Sequence, residues 1–414
     1  MDPESIDCRN SRASGTPVIP RATPITWRLA ASVDERRIDA YLRLFGAGSL
    51  PIGAARGRLA AMGLPHDVVR QTLRRVRRLR DWDVAWTWAA QRYLGEARTL
   101  TRTGRDDAAA LAQRHAALAY HLAGLFVFDD TRKMRTLRAA ASSLFTQALP
   151  LVYPNVHRVD LPWRTSTLPA FFVAPELGRA PAPLVVLLNG ASTSKEELLL
   201  WSGGFLAEGL AVLALDWPGS GESMLTLPPT ADCDDLLEAV VPFAMSQRAI
   251  DADRIGLVGL SLGAAVATRV AAADRRIGAV VAVTPPYDPR VWLSHAQPLL
   301  QRHLIAQAGG VERARRLAAE FALPGVVSRV RCPLLVIGAG RDLIVPPEEA
   351  LRYCAEAGIN GTLVWYPDGH HAVYEELPDW TRLSARWLVA AMSGTTSSTW
   401  VDHIERESSV SALT

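Results

Sequence analysis

The stretch Arg254–Arg269, RIGLVGLSLGAAVATR, decides how the rest of the chain folds. Ile255 to Val258 is a short apolar run of the kind a buried strand needs, and from Ala264 onward the residues are small, apolar and helix-permissive. Between them stands Gly259-Leu260-Ser261-Leu262-Gly263. A G-x-S-x-G at a strand-to-helix junction is a nucleophile elbow: its glycines let the turn approach its neighbours closely, and its serine hydroxyl is held out where the helix begins. Placed here, Ser261 reads as a nucleophile; without the flanking strand and helix it would be a small residue in an ordinary turn.

A serine hydroxyl attacks poorly until a base takes its proton, and the base works best when a carboxylate fixes its tautomer. Both partners should follow Ser261 in the chain, each just after a strand. The apolar run Pro333 to Ile337 leads into Gly338-Ala-Gly-Arg-Asp342, which puts Asp342 in a loop at a strand's C-terminal edge, where open α/β sheets build their sites. The next run, Thr362 to Tyr366, ends in Pro367-Asp-Gly-His370-His371. Adjacent histidines cannot both point into one site from a loop, and the small Gly369 two positions earlier favours His371 as the base. The oxyanion of an acyl intermediate needs amide donors. These are expected from Leu262 and from the loop Asn189–Glu197, in which Gly190 turns the backbone inward and Ala191 offers its N–H. Ser194-x-x-Glu197 reads as a capping box, leaving Lys195, Glu196 and Glu197 without a catalytic role.

Outward from these motifs, apolar strands alternate with helical segments. Strands are expected at Leu184–Leu188, Ala211–Leu215, Ile255–Val258, Ala279–Val283, Leu334–Ile337 and Thr362–Trp365, after a hairpin built from VHRVDLPW and LPAFFVAP. Continuous apolar strands separated by helices mean a mostly parallel, doubly wound sheet of the α/β class. This catalytic domain is assigned residues 151–392, with a helical insertion at 288–323 as a lid that carries Trp292, His295, His303 and Phe321. Residues 25–150 show helical periodicity and form a helical domain, which the resemblance named below implies is a cap. In it Trp82, Trp86 and Tyr93 recur at helical spacing, as helix-on-helix core or as the roof of a pocket, and a second helix follows from Asp107 to Phe128. Residues 1–24 are expected to be a disordered arm and 393–414 a loosely ordered tail.

Composition narrows the partners. Basic and acidic residues nearly cancel, at 45 against 42, so the net charge of +3 gives no global field for nucleic acid or membrane. The arginine-rich run Arg70–Arg78 reads as a solvated helix face. Four scattered cysteines, Cys8, Cys233, Cys332 and Cys354, suggest neither a zinc site nor a disulfide framework. With no signal peptide and no long apolar span, a cytoplasmic location is expected, with a small-molecule substrate, no metal or other cofactor, and a homodimer as one possible assembly.

The runs LLNGASTSKEE, LALDWPGSGES, GLVGLSLGA, GAGRDLIVP and YPDGHHAV, together with DWDVAWTWAAQRYLGEA, resemble the α/β-hydrolases related to 2,6-dihydroxypseudooxynicotine hydrolase and to fungal heptaketide-shortening pigment hydrolases. The resemblance implies an α/β-hydrolase fold with a cap of N-terminal helices over the sheet's C-terminal edge, and a Ser261, Asp342, His371 triad. Trp217 stands where the relatives tend to have glycine, and Ala372-Val373 where they often have a cysteine-containing pair, so the pocket is expected to differ. Trp217, Tyr287 and Trp292 are the candidate substrate contacts. The expected activity is cleavage at a carbonyl of an apolar, aromatic or polyketide-like substrate, at a carbon–carbon, ester or thioester bond. Acyl transfer or cyclisation in the same site is the first alternative, and a non-catalytic small-molecule receptor the second.

Overall fold

The computed structural model describes residues 4–7, 35–47, 53–176 and 181–395. Among the described residues six α-helices lead into the sheet: α1 Glu35–Phe45, α2 Gly53–Ala61, α3 His66–Arg75, α4 Trp82–Arg102, α5 Asp106–Ala123 and α6 Thr131–Val152. The long pair α4 and α5 forms an antiparallel hairpin in which Trp86, Ala89, Tyr93, Ala116 and Ala119 are fully or almost fully buried. The small residues of α5 let the helices approach closely around the large aromatics of α4, a mixed-size packing that leaves few voids. Of the arginine-rich run on α3, the Arg75 guanidinium lies 3.7 Å from the Trp88 ring centroid, a surface stacking contact.

After the hairpin β2 Val156–Trp163 and β3 Ser166–Val173 come β4 Ala182–Leu188, α7 Lys195–Leu200, α8 Gly203–Ala207 and β5 Ala211–Leu215. They are followed by α9 Leu237–Ser246, β6 Ile250–Leu260, α10 Leu262–Ala273 and β7 Ile277–Val283. The insertion holds α11 Pro289–Trp292, α12 Pro298–Ala308 and α13 Val311–Glu320; β8 Leu334–Ala339, α14 Glu348–Ala357, β9 Gly361–Tyr366 and α15 Leu377–Met392 complete the order. Just before α9, Asp232 and Asp235 are engaged by Arg164 of the β2–β3 turn.

Among the described residues the sheet has nine strands in the order β1-β9-β8-β7-β6-β4-β5-β3-β2, the first being Glu4–Asp7. Strands β5 to β9 with β4 are mutually parallel, and β1, β3 and β2 add antiparallel edges. The parallel strands are buried on both faces, as their unbroken apolar runs require. Strand β1 corrects one expectation: Glu4–Asp7 pairs with β9 from within the stretch read as a disordered arm. A four-residue edge strand with one apolar residue carries too little pattern to be seen in sequence. The rest of that arm and the tail after residue 395 lie outside the described residues. Cys354 is disulfide-bonded, against the expectation of no disulfide, while Cys233 and Cys332 are free. No helix among the described residues is long and apolar enough to cross a membrane.

This topology fixes where a site can form. The chain enters the middle of the sheet at β4, moves outward to β5, then returns to the other side of β4 with β6. The loops leaving β4 and β6 therefore diverge at a topological switch point, the crevice that ligands use in open α/β sheets. The cap lies over that edge. At Gly57 in α2 a Cβ would fall 2.8 Å from the Tyr374 Cβ, so this helix meets the loop after β9 at a distance only glycine permits.

Candidate active site

Strand β6 ends at Leu260 and α10 starts at Leu262, leaving Ser261 alone in the turn, with φ 53° and ψ −119°. Such a conformation costs a non-glycine residue on the order of 1–3 kcal/mol. It is held because everything around it is tight: a Cβ at Gly259 would lie 2.3 Å from the Gly263 carbonyl oxygen, and one at Gly263 would lie 2.3 Å from that of Leu188. The Ser261 N–H donates to the Val283 carbonyl at 2.8 Å. Leu262, as the first helical residue, keeps an N–H with no intrahelical acceptor.

Asp342 follows β8 and is 2% exposed. Its Oδ1 accepts the N–H groups of Ile344 at 2.8 Å and Val345 at 3.0 Å, and its Oδ2 lies 2.7 Å from His371 Nδ1. A carboxylate there requires the proton on Nδ1, which leaves Nε2 as the basic nitrogen. The acid and base loops are tied to each other by Arg341 N–H to the Gly369 carbonyl at 2.8 Å and Gly340 N–H to that of Tyr366 at 2.9 Å. After His371 the backbone turns through two left-handed residues, Ala372 at φ 64° and Val373 at φ 47°. For a β-branched residue this is strained. Thr284 Oγ1 accepts the Ala372 N–H at 3.3 Å, and Trp380 Nε1 donates to the Val373 carbonyl at 3.1 Å, which holds the turn in place. His370 points elsewhere, with Nδ1 2.8 Å from Glu375.

The loop after β4 departs from expectation at two points. The Gly190 N–H donates to Thr193 Oγ1 at 2.7 Å and so cannot serve an oxyanion. Gly190 matters instead for space, since a Cβ there would lie 3.2 Å from the Leu260 carbonyl oxygen and 3.4 Å from Ser261 Cβ. The Ala191 N–H has no acceptor among the described residues, and the Ala191 carbonyl accepts Gln307 Nε2 at 2.5 Å and faces His303 Nε2 at 3.3 Å, both from α12. The capping box does not form: Ser194 caps α7 without a side-chain hydrogen bond. The three charged residues after it are buried and bridge the cap to the sheet. Glu197 binds Arg58 of α2 and lies 2.6 Å from His121 of α5, Glu196 meets Arg138 of α6, and Lys195 meets Glu222 at 2.6 Å. Residues far apart in sequence carry this network, and no local pattern announces it.

Ser261 opens onto two cavities. One lies under the insertion and is lined by Trp217, Trp292, Leu317 and Phe321 together with Leu262; the other lies under the cap and is lined by Arg58, Trp82, Phe126, Phe128 and Tyr374 together with His371. Trp217 and Trp292, two of the expected substrate contacts, both line the first cavity, with Trp217 fixed by its Nε1 donating to the Asn189 carbonyl at 2.7 Å. Tyr287 lines neither cavity; its hydroxyl donates to Glu356 of α14 at 2.5 Å, pulling the ring away from the crevice. Trp82 both packs in the cap and roofs the second cavity, its Nε1 bonded to the Leu122 carbonyl at 2.7 Å. Arg58 and Gln307 were not legible as site residues. The only sequence hint to Gln307 is its i, i+4 spacing from His303, which puts both on one face of α12.

Burial pushes His303 below the ordinary histidine range, so it is a neutral imidazole that donates from Nε2. For Arg58, burial opposes the charge, but Glu197 outweighs it and the guanidinium is held firmly protonated.

Residues 185–382 match the model of the alpha/beta hydrolase family. The chain is 27% identical to 2,6-dihydropseudooxynicotine hydrolase of Paenarthrobacter nicotinovorans over 72% of its own length and 83% of that protein's. It is 25% identical to the hydrolyase ccsE of Aspergillus clavatus, over 69% and 81%. The solved structure of 2,6-dihydroxy-pseudo-oxynicotine hydrolase superposes with a TM-score of 0.71 at 26% identity, covering 83% of this chain and 99% of that one. With fold and sequence similarity in agreement, the chain has the α/β-hydrolase fold and is an enzyme similar to 2,6-dihydropseudooxynicotine hydrolase and to the fungal hydrolyase ccsE.

Proposed function

We propose that this enzyme hydrolyses an apolar carbonyl compound through a covalent acyl intermediate on Ser261. The observation that carries the reading is the 2.7 Å pairing of His371 Nδ1 with buried Asp342, in a cavity wall shared with Ser261. Ser261 Oγ adds to the carbonyl carbon as its proton passes to His371 Nε2, and the oxyanion is held by the Leu262 and Ala191 N–H groups. The tetrahedral adduct collapses, the bond to the leaving group breaks, and that group takes the proton from His371. Water then repeats the sequence on the acyl-enzyme, releasing a carboxylic acid and restoring Ser261. Asp342 fixes the tautomer and stabilises the imidazolium. The apolar, tryptophan-lined cavities favour an aromatic or polyketide-like substrate.

A fluorophosphonate probe should label Ser261 and no other serine, and Ser261→Ala should abolish both labelling and turnover while thermal melting is unchanged. Turnover by folded Ser261→Ala protein at more than about a thousandth of the wild-type rate would sink the proposal. In heavy-oxygen water, one label should enter the acid product in a single turnover. A product without label would mark transfer to another nucleophile.

A further inference from the structure

The two cavities meet at Ser261 and share Ala191, Leu300 and Ile344 in their walls, yet the catalytic groups divide between them. Leu262 lines only the cavity under the insertion, and His371 lines only the one under the cap. This division has a chemical consequence that rests on the mechanism proposed above. When the tetrahedral adduct collapses, the leaving atom must be the one facing His371, because it receives that residue's proton. The group that stays bonded to the carbonyl carbon is left on the other side, beside the helix N-terminus.

We infer that the cavity under the insertion is the acyl site and the cavity under the cap is the leaving-group site. The acyl site is the smaller, about 710 Å³ against about 1170 Å³ with open mouths included. Its few polar groups are engaged: Trp217 Nε1 with Asn189, and Gln307 Nε2 with Ala191. It therefore takes an apolar acyl chain, with Leu317 and Phe321 at the positions that set its length. The leaving-group site is walled by Phe126, Phe128 and Tyr374, with Arg58 at its edge. Four of the five Arg58 N–H groups are accounted for by Glu197 and by Ser192 carbonyl and hydroxyl oxygens, so Nη1 retains one donor for a polar atom on the departing group. Substrate selection is thereby split between two cavities: the insertion covers the acid's, while the cap, together with Leu299 and His303 of the insertion, walls the one that takes what the acid is joined to.

The test varies the two halves of an ester independently in the full-length enzyme. One series joins acetate, butyrate and hexanoate to p-nitrophenol; the other joins butyrate to phenol and to 2-naphthol. Leu317 and Phe128 are both half-buried, which suits truncation. Leu317→Ala should raise the hexanoate-to-butyrate ratio of kcat/KM about tenfold and leave the naphthyl-to-phenyl ratio within about twofold. Phe128→Ala should do the reverse, lowering the naphthyl-to-phenyl ratio by about tenfold. Should either variant not fold, Phe321→Leu and Phe126→Leu ask the same questions. The crossed pattern, or both ratios moving together in each variant, overturns the assignment. Two further measurements separate the two levels: an acyl adduct on Ser261, seen by mass spectrometry of the quenched wild-type enzyme, upholds the mechanism whatever the ratios do, and turnover of these esters by folded Ser261→Ala protein overturns the mechanism itself.

Discussion

Asp342 shows how a single side chain can be legible in sequence while its work is not. Its place after an apolar strand marked it as the acid, but nothing local shows that two backbone N–H groups saturate one oxygen and aim the other at His371. Asp342→Asn keeps the shape and offers an amide whose NH2 favours the opposite histidine tautomer. It should lower kcat by about three to four orders of magnitude, with the fold intact by circular dichroism, since only the direction of one hydrogen bond changes. Gly190 is the counterexample. Its type suggested an inward-turned amide, yet Thr193 Oγ1 takes that N–H, and the glycine is required by the close approach of Ser261 instead. Residue identity fixes what a position can do; the hydrogen bond it makes depends on a loop conformation that local sequence does not encode.

At the level of elements, the central strands could be read because each is buried on both faces and so is written as an uninterrupted apolar run. The insertion could be located by its length, but its helices could not be docked, because docking rests on contacts such as that between Gln307 and the Ala191 carbonyl. That contact couples α12 to the loop after β4, so the helix's position and the geometry of the Ala191 amide depend on each other. Gln307→Leu removes the donor and leaves the carbonyl without its strongest partner, a change worth about 1 kcal/mol. The expected outcome is a fall in kcat of roughly five- to tenfold with KM nearly unchanged, since Gln307 positions the loop rather than binding substrate. An equal rise in KM with kcat preserved would mean that α12 acts only as a wall.

Across the whole molecule, the cap is joined to the sheet by buried charges as well as by apolar packing, and this determines how the protein should respond to acid. His121 is neutral: burial pushes its pKa down, and the geometry agrees, with Nδ1 accepting from Arg138 at 2.8 Å and Nε2 donating to Glu197 at 2.6 Å. Burial opposes ionisation of Glu197, but Arg58 and His121 outweigh it and hold this carboxyl at about 2. His115, packed 5.1 Å from the Tyr93 ring, is pushed down to about 4 by burial and by Arg114. As pH falls from about 6.5 to about 4, the unfolded chain takes up a proton on His115 that the native protein refuses, so stability falls by about 1.4 kcal/mol per pH unit for that group, and His121 adds a loss of the same sign. Between about 4.5 and 2 the depressed Glu197 adds a further loss of the same sign. Unfolding free energies from urea titrations at half-unit steps should decline continuously below pH 6.5, and His115→Gln should flatten the upper window by one proton while leaving the slope below pH 4 unchanged. A wild-type protein equally stable at pH 6.5 and pH 4.5 would show that these histidines charge without cost, and that the cap is not held by neutral imidazoles between fixed ions.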